Sequence, residues 1–344
     1  MLAPITAFLL FLSTSSNRSF QQERHHSIIT TMDNSKKSNN GADSENDDSA
    51  DPNTAWERIR ASQIFVEPVV TTARYKFRTA ASAECDCTRL VIMSDTHGKH
   101  RQVPLAAGDA LIHAGDFSKA GETETFKDVS AYFAESGCPE VVSIAGNHDI
   151  TLDPSFYSRH GRRFHGDELL DCEASRRAMQ YGTYLQDSAC TLDSGRLSVY
   201  GSPWTPAYCN WAFNLPRGQA ELRSVWSRIP SQTDILITHG PPLGHGDYTT
   251  HAGYTGDADL LHEVQTRVKP RLHVFGHIHE GYGATFDGHT LFVNASCLNA
   301  RYKCSNQCIV VDLPRDASQP ARIVDPKTLL YRMVPPKKQW PEYK

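Results

Sequence analysis

The 344-residue chain has no basic surplus: 35 Lys and Arg stand against 39 Asp and Glu, a formal net charge of −4. Nothing in that balance steers it toward a nucleic-acid polymer or an anionic membrane, so neither is expected as a partner. An acidic ligand then has to be held by local charge or by metal. A disulfide framework is also missing, because the nine cysteines are odd in number and spread from Cys85 to Cys308. Cys85/Cys87 and Cys304/Cys308 do not have a zinc-ribbon spacing, which leaves buried or free thiols. No apolar run is long enough to span a bilayer. The run Leu2 to Leu12 is followed by the small residues Ser13 to Ser16 but preceded by no basic residue. A cytoplasmic location is therefore expected over cleavage of residues 1–16 as a signal peptide.

Apolar side chains are scarce in the first sixty residues, where "SNRSFQQERHHSIITTMDNSKKSNNGADSENDDSADPNT" offers little to bury. Such a stretch cannot offset its ordering entropy, so residues 1–60 are expected to form a disordered tail and 61–88 a lead-in segment. Across the whole chain 39% of residues are hydrophobic and 22% charged, enough for a large core. From Arg89 onward the short runs "RLVIMS", "ALIHA", "VVSIA", "LSVYG", "DILIT", "LHVF", "TLFVN" and "CIVVDL" recur. Several are too continuously apolar to be half-exposed and predict strands buried on both faces. Helices are predicted over Glu122 to Glu135, Gln219 to Arg228 and Asp257 to Lys269, the last with Leu260, Leu261, Val264 and Val268 on one stripe. Alternating strands and helices give an α/β fold, with some antiparallel pairing late in the chain around "GHTLFVNAS".

Five of these strands end in polar residues: Asp95-Thr96-His97, Gly115-Asp116, Gly146-Asn147-His148-Asp149, His239-Gly240 and Gly276-His277-Ile278-His279. In open α/β sheets the site lies beyond the carboxyl ends of the strands, so loops far apart in sequence can converge there. The glycines allow sharp turns and close approach. Any one such motif is ordinarily a turn or a cap; five in succession are a ligand set. Two aspartates, one asparagine and four histidines, His148 aside, suit Mn, Fe, Zn, Co or Ni rather than an iron–sulfur cluster. Seven donors exceed one tetrahedral ion but suffice for two, about 3.5–4 Å apart, if one carboxylate bridges.

In that order the motifs resemble the calcineurin-like metallophosphoesterase superfamily. The stretches "YGSPWTPAYCNWAFNLPRG", "ITHGPPLGHGD" and "RLHVFGHIHEGYG" are similar to the brain-type metallophosphoesterase-domain-containing proteins, which are in turn similar to class III cyclic-nucleotide phosphodiesterases. The resemblance covers about Arg89 to Leu313, implying a domain over 89–313 and a C-terminal extension over 314–344. It implies a four-layer sandwich of two packed mixed β-sheets flanked by helices. It also implies one metal held by Asp95, His97, Asp116 and His279, and a second by Asp116 as bridge with Asn147, His239 and His277. His148 becomes the acid that protonates the leaving oxygen, with Asp149 as a candidate to hold a histidine tautomer. Two divalent ions, manganese first, are the implied cofactors. A small phosphodiester or nucleotide, cyclic nucleotides included, is the implied substrate, attacked by hydroxide held between the ions.

Some relatives have glycine at the position of His277, so this chain keeps the fuller set. Lys119, three residues after Asp116, argues against a purple acid phosphatase, where tyrosine is expected. "GDFSKAG" and "GNHD" depart from the protein phosphatase patterns. A nucleotide-binding regulator with little turnover is the alternative, and a repair-type nuclease is disfavoured by the charge balance. His113 and His273, inside apolar runs, are expected to be satisfied in the core or behind the site, and His245 and His251 to rim it. Trp204, Tyr208, Trp211 and Phe213 are divided between stacking a nucleobase and packing. Asn294-Ala295-Ser296 is a glycosylation sequon only if exposed in a secreted protein, and Trp340 is a candidate anchor for the C-terminal segment.

Overall fold

The computed structural model describes residues 51–72 and 86–334. The possible signal segment 1–16, the tail up to residue 50 and Trp340 lie outside the described residues. Seven strands form one sheet in the order Val70–Thr71, Arg322–Val324, Ile309–Pro314, Cys87–Met93, Ala110–His113, Glu140–Ile144 and Thr183–Leu185. The last four are mutually parallel, and Ile309–Pro314 runs antiparallel to Cys87–Met93. The second sheet orders Gly283–Phe286, Leu291–Asn294, Leu272–Phe275, Ile235–Thr238, Leu197–Ser202 and Ser188–Leu192, parallel at its centre and antiparallel at both edges. The late antiparallel pair expected around "GHTLFVNAS" is the hairpin of Gly283–Phe286 with Leu291–Asn294.

Side-chain alternation makes the layers. Leu90 and Ile92 of one sheet meet Val199, Ile235, Ile237, Leu272 and Val274 of the other in a single buried cluster. Their neighbours Val91 and Met93 point the opposite way, into a cluster with Phe126, Val129 and Phe133 of the helix Thr123–Glu135 and Phe156 of the helix Pro154–His165. On the outer face of the second sheet, Tyr200, Leu236, Phe275 and Phe292 pack on Leu222, Val225 and Trp226 of the helix Ala220–Ser227 and on Leu260. With period 2 along each strand, a residue and its neighbour bury against different layers, so the strands read as continuously apolar. The result is the expected α/β four-layer sandwich of two packed mixed sheets flanked by helices. The helix predicted over Asp257 to Lys269 is α-helical over Ala258–Glu263, tightly capped by Asp257, and continues as a π turn over Val264–Val268. Among the described residues no helix is long and apolar enough to cross a membrane.

The boundaries expected at both ends need correction. The last ten residues of the expected tail are structured: Asp51 accepts from the backbone of Asn53 and Thr54, Pro52 opens a helix over Pro52–Ile59, and Ala55 and Trp56 are buried. Within the lead-in, Val66 donates its N–H to the Phe286 carbonyl at 2.7 Å and Val70–Thr71 pairs with Arg322–Val324. That last strand in turn pairs with Ile309–Pro314, so part of the expected C-terminal extension belongs to the sheet. The lead-in supplies a two-residue edge strand and Arg322–Val324 joins it to the sheet; pieces this short need backbone partners more than a long apolar pattern of their own.

Candidate metal centre

The loops leaving Cys87–Met93, Ala110–His113, Glu140–Ile144, Ile235–Thr238 and Leu272–Phe275 meet at one end of the sandwich. Asp95, His97, Asp116 and His277 all take left-handed backbone conformations, with φ of 53°, 42°, 57° and 65°. Non-glycine residues held there cost energy and concentrate at functional sites. The glycines matter by their lack of a side chain. A Cβ on Gly276 would lie 1.9 Å from Asp95 Oδ2, and one on Gly146 would lie 2.2 Å from Asp116 Oδ1 and 2.5 Å from His239 Cε1.

Six of the expected donors, Asp95, His97, Asp116, Asn147, His239 and His279, bring ligand atoms close to one another, and His277 meets them through a ring contact. His279 Nε2 lies 3.4 Å from Asp95 Oδ1 and 3.4 Å from His97 Nε2. Asp116 Oδ2 stands 3.6 Å from His97 Nε2 on one side and 3.4 Å from His239 Nε2 on the other. His239 Nε2 is also 3.0 Å from Asn147 Oδ1. A single oxygen, Asp116 Oδ2, thus belongs to both groups, while Oδ1 of the same carboxylate accepts from the His148 backbone at 2.8 Å. His277 packs its ring on His239, centroids 5.0 Å apart, lines the cavity above, and gives its backbone N–H to Asp95.

This donor set fits divalent cations. Nδ1 of His97, His239 and His279 each donates to a backbone carbonyl, that of Ser118, Ala114 and Asn299, at 3.1, 2.9 and 3.1 Å. A neutral imidazole so fixed turns its Nε2 lone pair outward, as metal-ligating histidines do. Here the Nε2 atoms converge on carboxylate and carboxamide oxygens, a set that only positive charge satisfies: a proton on Nε2, which the carboxylates favour at His239 and His279, or a metal cation in its place. Burial pushes the His97 imidazole down to about 4 and that of His277 to about 3. His239 goes the other way: burial opposes its charge, but the Asp116 and Asp95 carboxylates hold it up at about 9. Both carboxylates are buried, yet His279 beside Asp95 and His239 beside Asp116 keep them below the ordinary carboxylate range.

His148 stands at the mouth, half-buried, its ring stacked on Trp211 with centroids 4.0 Å apart and planes at 27°. Its Nδ1 donates to the Lys119 carbonyl at 2.8 Å. Asp149 does not hold a histidine tautomer as expected. Its buried carboxylate accepts from the backbone of Gly146, Phe117 and Ser118 and from the Ser118 hydroxyl, tying two of the loops together. His113 and His273 behave as core histidines, bonded to Thr96 and Thr238. The expectation for His245 fails: it is wholly buried, stacked on Phe292 and bonded to Thr285, because the loop folds inward there, whereas His251 does line the cavity. Of the four aromatics, Tyr208 and Trp211 line the cavity, Phe213 is core, and Trp204 packs while donating to Asp187. Asn294 is buried with its amide donating to Gly246 and Ile278 carbonyls, which rules it out as a glycan acceptor. Sequence reasoning missed Tyr302, whose ring lies 5.0 Å from both His97 and His279. The cavity over these groups measures about 560 Å³.

The profile of the calcineurin-like phosphoesterase family matches residues 88–281. Metallophosphoesterase domain-containing protein 1 of Homo sapiens and that of Mus musculus are each 44% identical over 235 residues, 66% of this chain and 71% of theirs. A UPF0046 protein of Caenorhabditis elegans is 35% identical over 279 residues, 77% of this chain and 68% of that protein.

Proposed function

Because the chain belongs to the calcineurin-like phosphoesterase family, we propose that it hydrolyses small phosphodiesters, cyclic nucleotides among them, with two divalent cations, manganese first. The observation that carries this reading is the placing of Asp116 Oδ2 within 3.6 Å of His97 Nε2 and 3.4 Å of His239 Nε2. Asp95, His97, Asp116 and His279 would hold one ion, and Asp116, Asn147, His239 and His277 the other. When bound, two dications supply ionised water at neutral pH and neutralise charge on the phosphoryl oxygens. The chain's own residues do the rest. His148, with Nδ1–H given to the Lys119 carbonyl, has Nε2 left to carry a proton to the departing oxygen, and Trp211 fixes the plane of its ring. A net charge of −4 favours a small ester over a nucleic-acid polymer.

The test is hydrolysis of bis(p-nitrophenyl) phosphate and p-nitrophenyl phosphate by manganese-reconstituted protein, beside metal-free protein and His277→Ala. Metal-dependent cleavage that favours the diester and is lost in the variant is expected. No turnover with Mn, Fe, Zn, Co or Ni, while nucleotide still binds, would overturn it in favour of a nucleotide-binding regulator.

A further inference from the structure

The cavity above the metal centre has a wall made from the other end of the sequence. Pro52 and Asn53 line it together with Thr249, His251 and Tyr254. These last three belong to a hairpin of two-residue strands, Tyr248–Thr249 with Gly253–Tyr254. A hairpin that short does not hold its own shape in water, so what positions it lies elsewhere. Asn53 Nδ2 donates to the Ala252 carbonyl at 3.0 Å, and Asn53 Oδ1 accepts from the Tyr254 N–H at 2.9 Å. Three residues on, Trp56 packs on Tyr254 with centroids 4.9 Å apart and on Phe65 at 6.1 Å, and is buried with Leu243 and Leu261. The receiving loop is cut to fit: a Cβ on Gly244 would lie 2.1 Å from the Trp56 ring, and one on Gly253 2.4 Å from Asn53 Oδ1. Arg217 grips the far end of the loop through the Thr255 and Gly256 carbonyls.

Resting on the preceding reading, we propose that the segment Asp51 to Val66 is part of the substrate site, and that Asn53 is a positioning residue that selects ligands by the group remote from phosphorus. The cavity, about 560 Å³, is of the size that takes a whole small ligand. Its metal end takes the phosphoryl group, and its other end, bounded by Asn53 and His251, takes what the phosphoryl group is attached to. Asn53 acts there by fixing the hairpin, not by touching the reacting atoms.

The test uses the full-length, manganese-loaded chain with two probes that it cannot cleave, phenylphosphonate and methylphosphonate, and follows binding by calorimetry. Losing the two hydrogen bonds in Asn53→Ala should weaken phenylphosphonate about tenfold and leave methylphosphonate within about twofold. Amide hydrogens of residues 248–256 should exchange faster in the same variant. Equal effects on both probes, or none on either, with wild-type exchange in 248–256, would overturn the proposal while the two-cation reading stands. A wild type that holds manganese but binds neither phosphonate would overturn both.

Discussion

Replacing Gly276 by alanine adds one methyl group at the tightest point of the candidate metal centre. The new Cβ would lie 1.9 Å from Asp95 Oδ2, 2.3 Å from Ser94 Oγ and 2.8 Å from Ser94 Cβ. Gly276 is not among the glycines at positive φ, so alanine meets no backbone penalty and the whole effect is one of space. Ser94 sits at the end of a fully buried strand, which leaves the Asp95 carboxylate as the group that yields. That carboxylate is anchored by the Ser296 hydroxyl at 2.9 Å and the His277 N–H at 3.0 Å. Losing a buried bond to a charged group costs about 1.5–3 kcal/mol, and overpacking alone about 1–3 kcal/mol. The two costs describe one displacement and overlap, so the metal-free variant should be less stable by about 3 kcal/mol. Manganese affinity should fall about 10–100-fold, the usual effect of losing a ligand's support. Urea unfolding of the metal-free protein gives the first number, and metal content after dialysis against a competing chelator gives the second. Wild-type stability together with wild-type metal retention would refute the close-approach reasoning.

His148→Ala should retain its metal and lose about 10²–10⁴ in kcat; a fully active, metal-loaded variant would remove His148 from the proposed role. Asp312→Ala takes away a carboxylate bonded to Arg89 through Nε at 2.6 Å and Nη2 at 2.7 Å in the core. It should cost about 3–5 kcal/mol, and a loss below about 1 kcal/mol in urea unfolding would show that the pair is dispensable. Burial pushes the His245 imidazole down to about 4, below its unfolded value near 6.5. The unfolded chain therefore binds the extra proton first: stability from the neutral ring is complete above pH 6.5 and falls by about 3 kcal/mol as pH drops to 4. His245→Phe keeps an aromatic ring against Phe292 and should flatten that part of the acid profile; an unchanged slope between pH 7 and 4 would count against it.

What could be read in the sequence is what chemistry forces to be a particular residue type. Strands buried on both faces must be apolar throughout, so eight were legible, and polar donors at their carboxyl ends stood out against them. The helix Pro154–His165 was not legible: its cap is plain in Asp153 and Pro154, but "SRHGRRFH" has too few apolar positions to show a stripe. The helix Pro52–Ile59 buries Ala55 and Trp56 against Leu243 and Leu261, nearly two hundred residues away, and no local window averages over that distance. Tyr302 reaches the site through a turn without a motif. Most hidden were the groups that fix the imidazoles. His97, His148, His239 and His279 each give Nδ1–H to a backbone carbonyl, from Ser118, Lys119, Ala114 and Asn299. Any residue supplies a carbonyl, so these supports leave no trace in sequence although ligand orientation depends on them. They depend instead on the path of the loops, which Asp149 sets by binding the backbone of Gly146, Phe117 and Ser118. A side chain that looked like a partner for one histidine is the brace for the carbonyls that orient two of them.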